Sequence, residues 1–164
     1  MSIEALDDTD EDPDLAALHA YWARQCGRRL MPRRADIHPK HIVSLLPEVF
    51  IADICKPLRF RFRLVGSAIC ERWHDDFTGK WLDELPFDGE LETVIEQFAS
   101  VARTGEPRAD IEEFVNEDSR YLHYRRLLLP LSDDGETPTM LFGVQKAIGI
   151  DAYKVTAPRL PKWM

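Results

Sequence analysis

The residues that could carry chemistry here are three cysteines, five histidines, the aspartate pairs at 75–76 and 133–134, and one histidine–arginine strand segment. Cys26, Cys55 and Cys70 are far apart and form no Cys-x-x-Cys pair. A sparse, odd set argues for a reducing compartment and against a disulfide framework or a zinc site. Cys70, in Ala68-Ile69-Cys70-Glu71-Arg72-Trp73, reads as a small buried or half-buried thiol. No neighbouring cysteine could resolve a sulfenic acid, so redox sensing is the minor reading. Of His19, His38, His41, His74 and His123, only His38 and His41 are close in sequence, and they lack helical spacing; no metal site is expected. Asp75-Asp76 and Asp133-Asp134 read as turn acids rather than a general acid/base pair. Neither a Ser–His–Asp constellation nor a phosphate-cradling glycine loop is visible, and no enzymatic activity is expected.

His123 and Arg125 alternate onto one strand face with Tyr121, Leu127 and Leu129; Tyr124, Arg126 and Leu128 share the other. If the His123 face lines an interior, its two bases could hold an acidic ligand, because a buried arginine needs a carboxylate partner. The plainer alternative, which takes precedence, is a surface arginine snorkelling at the sheet edge. Period-two alternation does not say which face is inward.

The elements that must position these groups follow from periodicity. Asp12-Pro13 is a helix start. Leu15, Leu18 and Trp22 then recur at helical spacing up to Gly27. Leu30 to His41 reads as an extended connector and His41 to Leu46 as a short helix ended by Pro47. Val49 to Ile54 is an apolar strand. Arg59 to Val65 alternates, with Phe60, Phe62 and Leu64 on one face and the arginines on the other. Ser67 caps a short helix through Trp73, and Trp81 to Leu85 adds a turn. Leu91, Val94, Ile95, Phe98 and Val101 stripe a helix over Glu90 to Arg103, closed by Gly105 and Pro107. Three strands follow, over Arg108 to Val115, Ser119 to Leu131 and Thr137 to Gln145, with Asp133-Asp134-Gly135 at the last turn. The order predicts an α+β domain on an antiparallel sheet, one face covered by the helical block.

With 164 residues the chain can bury one sizeable core. Its formal charge is −8, but residues 1–14 hold seven acids and no base, which leaves 22 acids against 21 bases elsewhere. Residues 1–12 are therefore expected to be an acidic disordered tail, 13–146 the domain and 147–164 a short C-terminal extension. The basic run Arg24 to Arg34 is too short and too poor in aromatics to indicate nucleic acid. No apolar run approaches the roughly 20 residues that cross a bilayer, and MSIEALDDTD has neither the basic nor the apolar region of a secretory signal. The expectation is a cytoplasmic protein that binds neither nucleic acid nor membrane.

This order of elements resembles the PAS fold. Phe62-Arg63-Leu64-Val65-Gly66-Ser67-Ala68-Ile69 looks like its second strand running into the first short helix. Thr78 to Leu85 resembles the glycine-led entry to the central helices, Leu128 to Gly135 the penultimate strand and its turn, and Met140 to Val144 the last strand. A closer similarity, over residues 15 to 146, is to a family of small, mostly stand-alone bacterial PAS proteins. Its marks here are Tyr21-Trp22 and Leu30-Met31-Pro32-Arg33-Arg34-Ala35-Asp36-Ile37-His38-Pro39. The chain departs from those relatives at Arg125, where they often carry an acid.

The resemblance implies a sensory or regulatory role and no particular ligand. A light-sensing flavin domain would need its cysteine in Asn-Cys-Arg-Phe-Leu-Gln, which is missing around Cys70. An oxygen-sensing haem domain would need a histidine on the long helix, which has none. Flavin and haem are therefore not expected, and the cofactor is left unknown. The first expectation is a small molecule between sheet and helical block, touching Phe62, Leu64, Ile69, Trp73, Phe98, Leu129 and Leu141, with His123 and Arg125 as its polar contacts. The signal would pass to a separate protein. The second is an apo protein-interaction scaffold with a filled core. Either suits a homodimer through Leu15, Leu18 and Trp22. A small isomerase-like enzyme ranks last, for want of a carboxylate in an apolar setting.

Overall fold

The computed structural model describes residues 12–86, 91–115 and 121–148, so the acidic tail ahead of Asp12 and the C-terminal extension from residue 149 lie outside the described residues. Helix α1 (Pro13–Cys26) starts as the sequence predicts: Asp12 Oδ1 accepts from the amides of Asp14 (3.0 Å) and Leu15 (3.3 Å), with Pro13 in the first turn. It stops at Gly27, whose φ of 59° suits a residue without Cβ. Three 3-10 turns follow, Arg34–Asp36, Pro39–His41 and Val43–Glu48. Pro47 lies inside the last of them rather than ending it, because so short a turn loses only one bond to a missing N–H.

Strands β1 (Val49–Cys55) and β2 (Arg59–Val65) lead into α2 (Ser67–Trp73), a 3-10 turn (Leu82–Glu84), α3 (Leu91–Thr104), then β3 (Arg108–Val115), β4 (Tyr121–Leu131) and β5 (Met140–Ala147). The strands form one antiparallel sheet in the order β2-β1-β5-β4-β3. This is the expected α+β architecture. Gly66, not Ser67, caps α2; a Cβ at Gly66 would lie 2.3 Å from the Pro47 carbonyl oxygen, so only glycine fits. Pro130 is tolerated in an interior strand because β3 pairs β4 only as far as Leu128. Its carbonyl accepts the Trp22 indole N–H at 2.9 Å, which ties α1 to the sheet.

Both faces of the sheet are covered. Phe50, Ala52, Phe60, Phe62, Tyr124, Leu128 and Leu141 pack under α2 and α3. Val49, Ile51, Leu127, Leu129, Leu131, Phe142 and Val144 pack under α1 and the 3-10 turns. This corrects the proposed dimer interface: Leu15 (1 % exposed), Leu18 (2 %) and Trp22 (6 %) are spent against the chain's own sheet. An apolar stripe must be buried, and the second sheet face, equally apolar, lies within reach of the same chain.

Candidate functional site

A cavity of about 30 Å³ lies between the sheet and the helical block. Phe50 (β1), Phe62 (β2), Ile69 and Trp73 (α2), Phe77 from the loop after α2, and Phe98 (α3) supply most of its wall. The rings pack on one another: Phe50 stacks on Phe98 with centroids 5.8 Å apart and planes 9° from parallel, and Phe60 meets Phe98 edge-on at 5.5 Å. That packing leaves space for one or two water molecules.

The polar side of the cavity comes from β4 and β5. Arg126 is 3 % exposed. Its Nη2 donates to Gln97 Oε1 on α3 and to Glu112 Oε1 on β3 (3.3 Å), while Gln97 Nε2 also donates to Glu112 Oε1 (2.5 Å). Its guanidinium carbon stands 5.5 Å from the Phe98 ring centroid. Among the described residues Arg126 Nε is buried without an acceptor, although a buried donor of that kind costs about 1–3 kcal/mol if left so. Gln145, on β5, is held from the opposite side: its Oε1 accepts from Arg72 Nη1 (2.8 Å) and Trp73 Nε1 (3.0 Å). Arg72 is balanced by Glu48 at 2.8 Å. Burial pushes the Tyr124 hydroxyl far above its usual titration range, so it stays neutral.

Of the residues the sequence proposed, Phe62, Ile69, Trp73 and Phe98 meet around this cavity. Leu141 belongs to the same core without bordering the cavity. His123, Arg125 and Leu129 are corrected: the inward face of β4 toward the cavity is the one with Tyr124, Arg126 and Leu128. Leu129 packs under α1 instead, and His123 stands 3.9 Å from Glu113 across the β3–β4 pair. Leu64 is also corrected. A bulge shifts the β1–β2 register, so that Ile51 pairs with Leu64 but Ala52 with Phe62. Arg63 is the extra residue, and past it Leu64 turns to the α1 face while Val65 turns to the cavity. Sequence reasoning missed Arg126 and Gln145 as cavity residues. The signal for Arg126 was present, since it alternates with Tyr124 and Leu128; the choice of face was not.

Cys70 is half-buried, and its thiol donates to the Val65 carbonyl (3.8 Å). Burial, then the Asp76 charge, raises its pKa, which disfavours a reactive thiolate. Asp76 and Asp134 act as turn acids, Asp76 accepting from Thr78 and Asp134 from Glu136 and Thr137. Among the described residues no group of three His, Cys, Asp or Glu side chains could hold a metal, and no helix is long and apolar enough to cross a membrane.

A five-stranded antiparallel sheet with a helical block over an aromatic cavity, backed by an N-terminal helix, defines an α+β module of the sensory-domain type. Residues 11–146 match the model of the PAS domain family, and the chain belongs to that family. Solved structures agree on the fold. A light-oxygen-voltage domain studied with a flavin analogue superposes with a TM-score of 0.54 at 14% identity, covering 70% of this chain and 87% of that one. The PAS domain of Bordetella pertussis BvgS gives 0.53 at 19%, covering 67% and 85%. The Rhodobacter sphaeroides LOV protein gives 0.52 at 11%, covering 70% of each. At such identities the likeness concerns fold alone. No curated protein sequence matches the chain.

Proposed function

We propose that this chain is a non-catalytic sensory module that reads a compact small molecule by parting the aromatic rings around the cavity, and passes the signal to a separate protein. The observation that carries the reading is Arg126: a nearly inaccessible cation on the cavity wall, with a donor lacking an acceptor, set among aromatic rings. A ligand that supplies an acceptor there gains a hydrogen bond the empty form lacks. Among the described residues no carboxylate, histidine, serine or cysteine lines the cavity, and its phenol, Tyr124, is held neutral by burial, which supports a binding rather than a catalytic role.

β5 offers the route outward. Gln145 faces the cavity, and the next residue, Lys146, faces the other way and bonds Asp12 (3.1 Å) and Asp14 (2.7 Å) at the start of α1. An occupant that competes for Gln145 Oε1 would move one strand end that also anchors a helix. The signal requires a ligand that binds the two arrangements unequally.

The small cavity volume favours a second reading, an apo scaffold whose core is simply full. Mass spectrometry under native and denaturing conditions separates the two. A released small molecule, lost in Arg126→Met, supports the sensor. Identical masses, together with no metabolite that raises the melting temperature, leave the scaffold.

A further inference from the structure

We propose that the groove between the 3-10 segment and the β1–β2 side of the sheet docks an acidic, leucine-bearing segment of a separate protein. The inference rests on the reading that the domain signals by protein contact, and not on the cavity holding a ligand. No residue of α1 lines this groove, which lies between the 3-10 segment and β2. The groove measures about 260 Å³, with Val49, Ile51 and Phe142 as its buried floor. Its rim is apolar and open: Leu46 is 39 % exposed and Leu64 42 %. Leu64 is there because of the Arg63 bulge; regular alternation would have sent it to the other face.

Charge selects the occupant. Among the described residues no acidic side chain lines the groove, whereas Arg34 does. Arg34 donates to the Ile37 carbonyl (3.2 Å) and meets no carboxylate among the described residues. Its neighbours Arg33 and Lys40 are exposed as well, although the Arg33 amide donates to Asp36 Oδ2 (2.8 Å) and its charge acts on that carboxylate. On β2, Arg59 is paired with Asp83 (2.7 Å) and Arg63 with Asp53 (3.1 Å), while Arg61 donates to the Gly79 carbonyl (3.1 Å) away from the groove. An apolar trough with an unneutralised cationic rim is complementary to leucine anchors flanked by Asp or Glu. A second copy of this chain is disfavoured, because a two-fold contact would set the same cations against one another.

The test is selection of a random peptide library on the full chain, followed by affinity measurement on Arg34→Glu and Leu64→Ser. Both sites are exposed, so both variants fold. The expected result is enrichment of acidic peptides with one or two leucines, an affinity at least tenfold lower for either variant, and retention in Arg34→Lys. Acidic peptides that bind both variants undiminished overturn the groove but leave the protein-contact reading standing. Enrichment of nothing at all overturns both. Concentration-dependent dimerisation abolished by Leu64→Ser, or duplex DNA binding abolished by Arg34→Glu, assigns the surface to another occupant and overturns the proposal.

Discussion

Replacing Gly143 by alanine tests the packing of the cavity directly. A Cβ built at Gly143 falls 2.0 Å from Phe50 Cζ and within 2.5 Å of both Cε atoms, so the ring must retreat by about 1.4 Å to reach an ordinary 3.4 Å contact. Phe50 is 4 % exposed, stacked on Phe98 and edge-on to Phe62, and the cavity is the space open to it. Forcing it there costs about 1–3 kcal/mol of overpacking. The lower backbone entropy of alanine in the unfolded chain offsets about 0.4–1 kcal/mol of that. A net loss of about 1–2 kcal/mol lowers Tm by roughly 2–8 °C in a chain of this size. Urea unfolding followed by tryptophan fluorescence measures it. In a Phe50→Leu background the same alanine meets no ring and should be neutral or slightly stabilising, giving a coupling of about 1–3 kcal/mol. Gly143→Ala as stable as the parent, or strictly additive with Phe50→Leu, would refute this account of the wall.

Three further outcomes follow from the same geometry. Leu18→Asp should unfold the domain rather than split a dimer, with a loss at least equal to the 2–5 kcal/mol of a buried Leu→Ala; circular dichroism of a folded Leu18→Asp monomer would contradict the burial of α1. The amides of Thr137 and Glu136 and the Ser132 hydroxyl hold Asp134 down at about 2, below its usual 3.8, so its charge stabilises the fold fully above about pH 4 and that gain is lost as pH falls toward 2. The advantage of wild type over Asp134→Asn in acid titrations should shrink across that window, and a gap equal at pH 5 and pH 2 speaks against it. In Lys146→Met the first turn of α1 loses its two carboxylate contacts, at 3.1 and 2.7 Å; hydrogen exchange should quicken at residues 15–18 with a stability cost below about 1 kcal/mol, and unchanged exchange removes the proposed link from β5 to α1.

The strand and helix order was legible because each signal is local. Phe60 and Phe62 alternate with arginines, Phe98 sits on a helical stripe, and Asp12-Pro13 carries its own capping chemistry. The cavity's aromatic wall followed from the same periodicities, which is why Phe62, Ile69, Trp73 and Phe98 were found together. Its polar residues did not follow. An alternating strand defines two faces without ranking them, and β4 is apolar on both because both faces of this sheet are covered.

By itself, then, the sequence determined the order of the main helices and strands and that they make an α+β domain, but not every end: Pro47 lies inside its 3-10 segment and Gly66 caps α2. Tertiary structure alone decided that Arg126 rather than Arg125 faces the cavity, that α1 is spent on its own sheet, and that Leu64 turns outward past Arg63. The reason is physical. Propensity and periodicity act over a few residues, whereas the inward face of a strand is chosen by whatever packs on it from afar, and a bulge is set by the register of its partner strand.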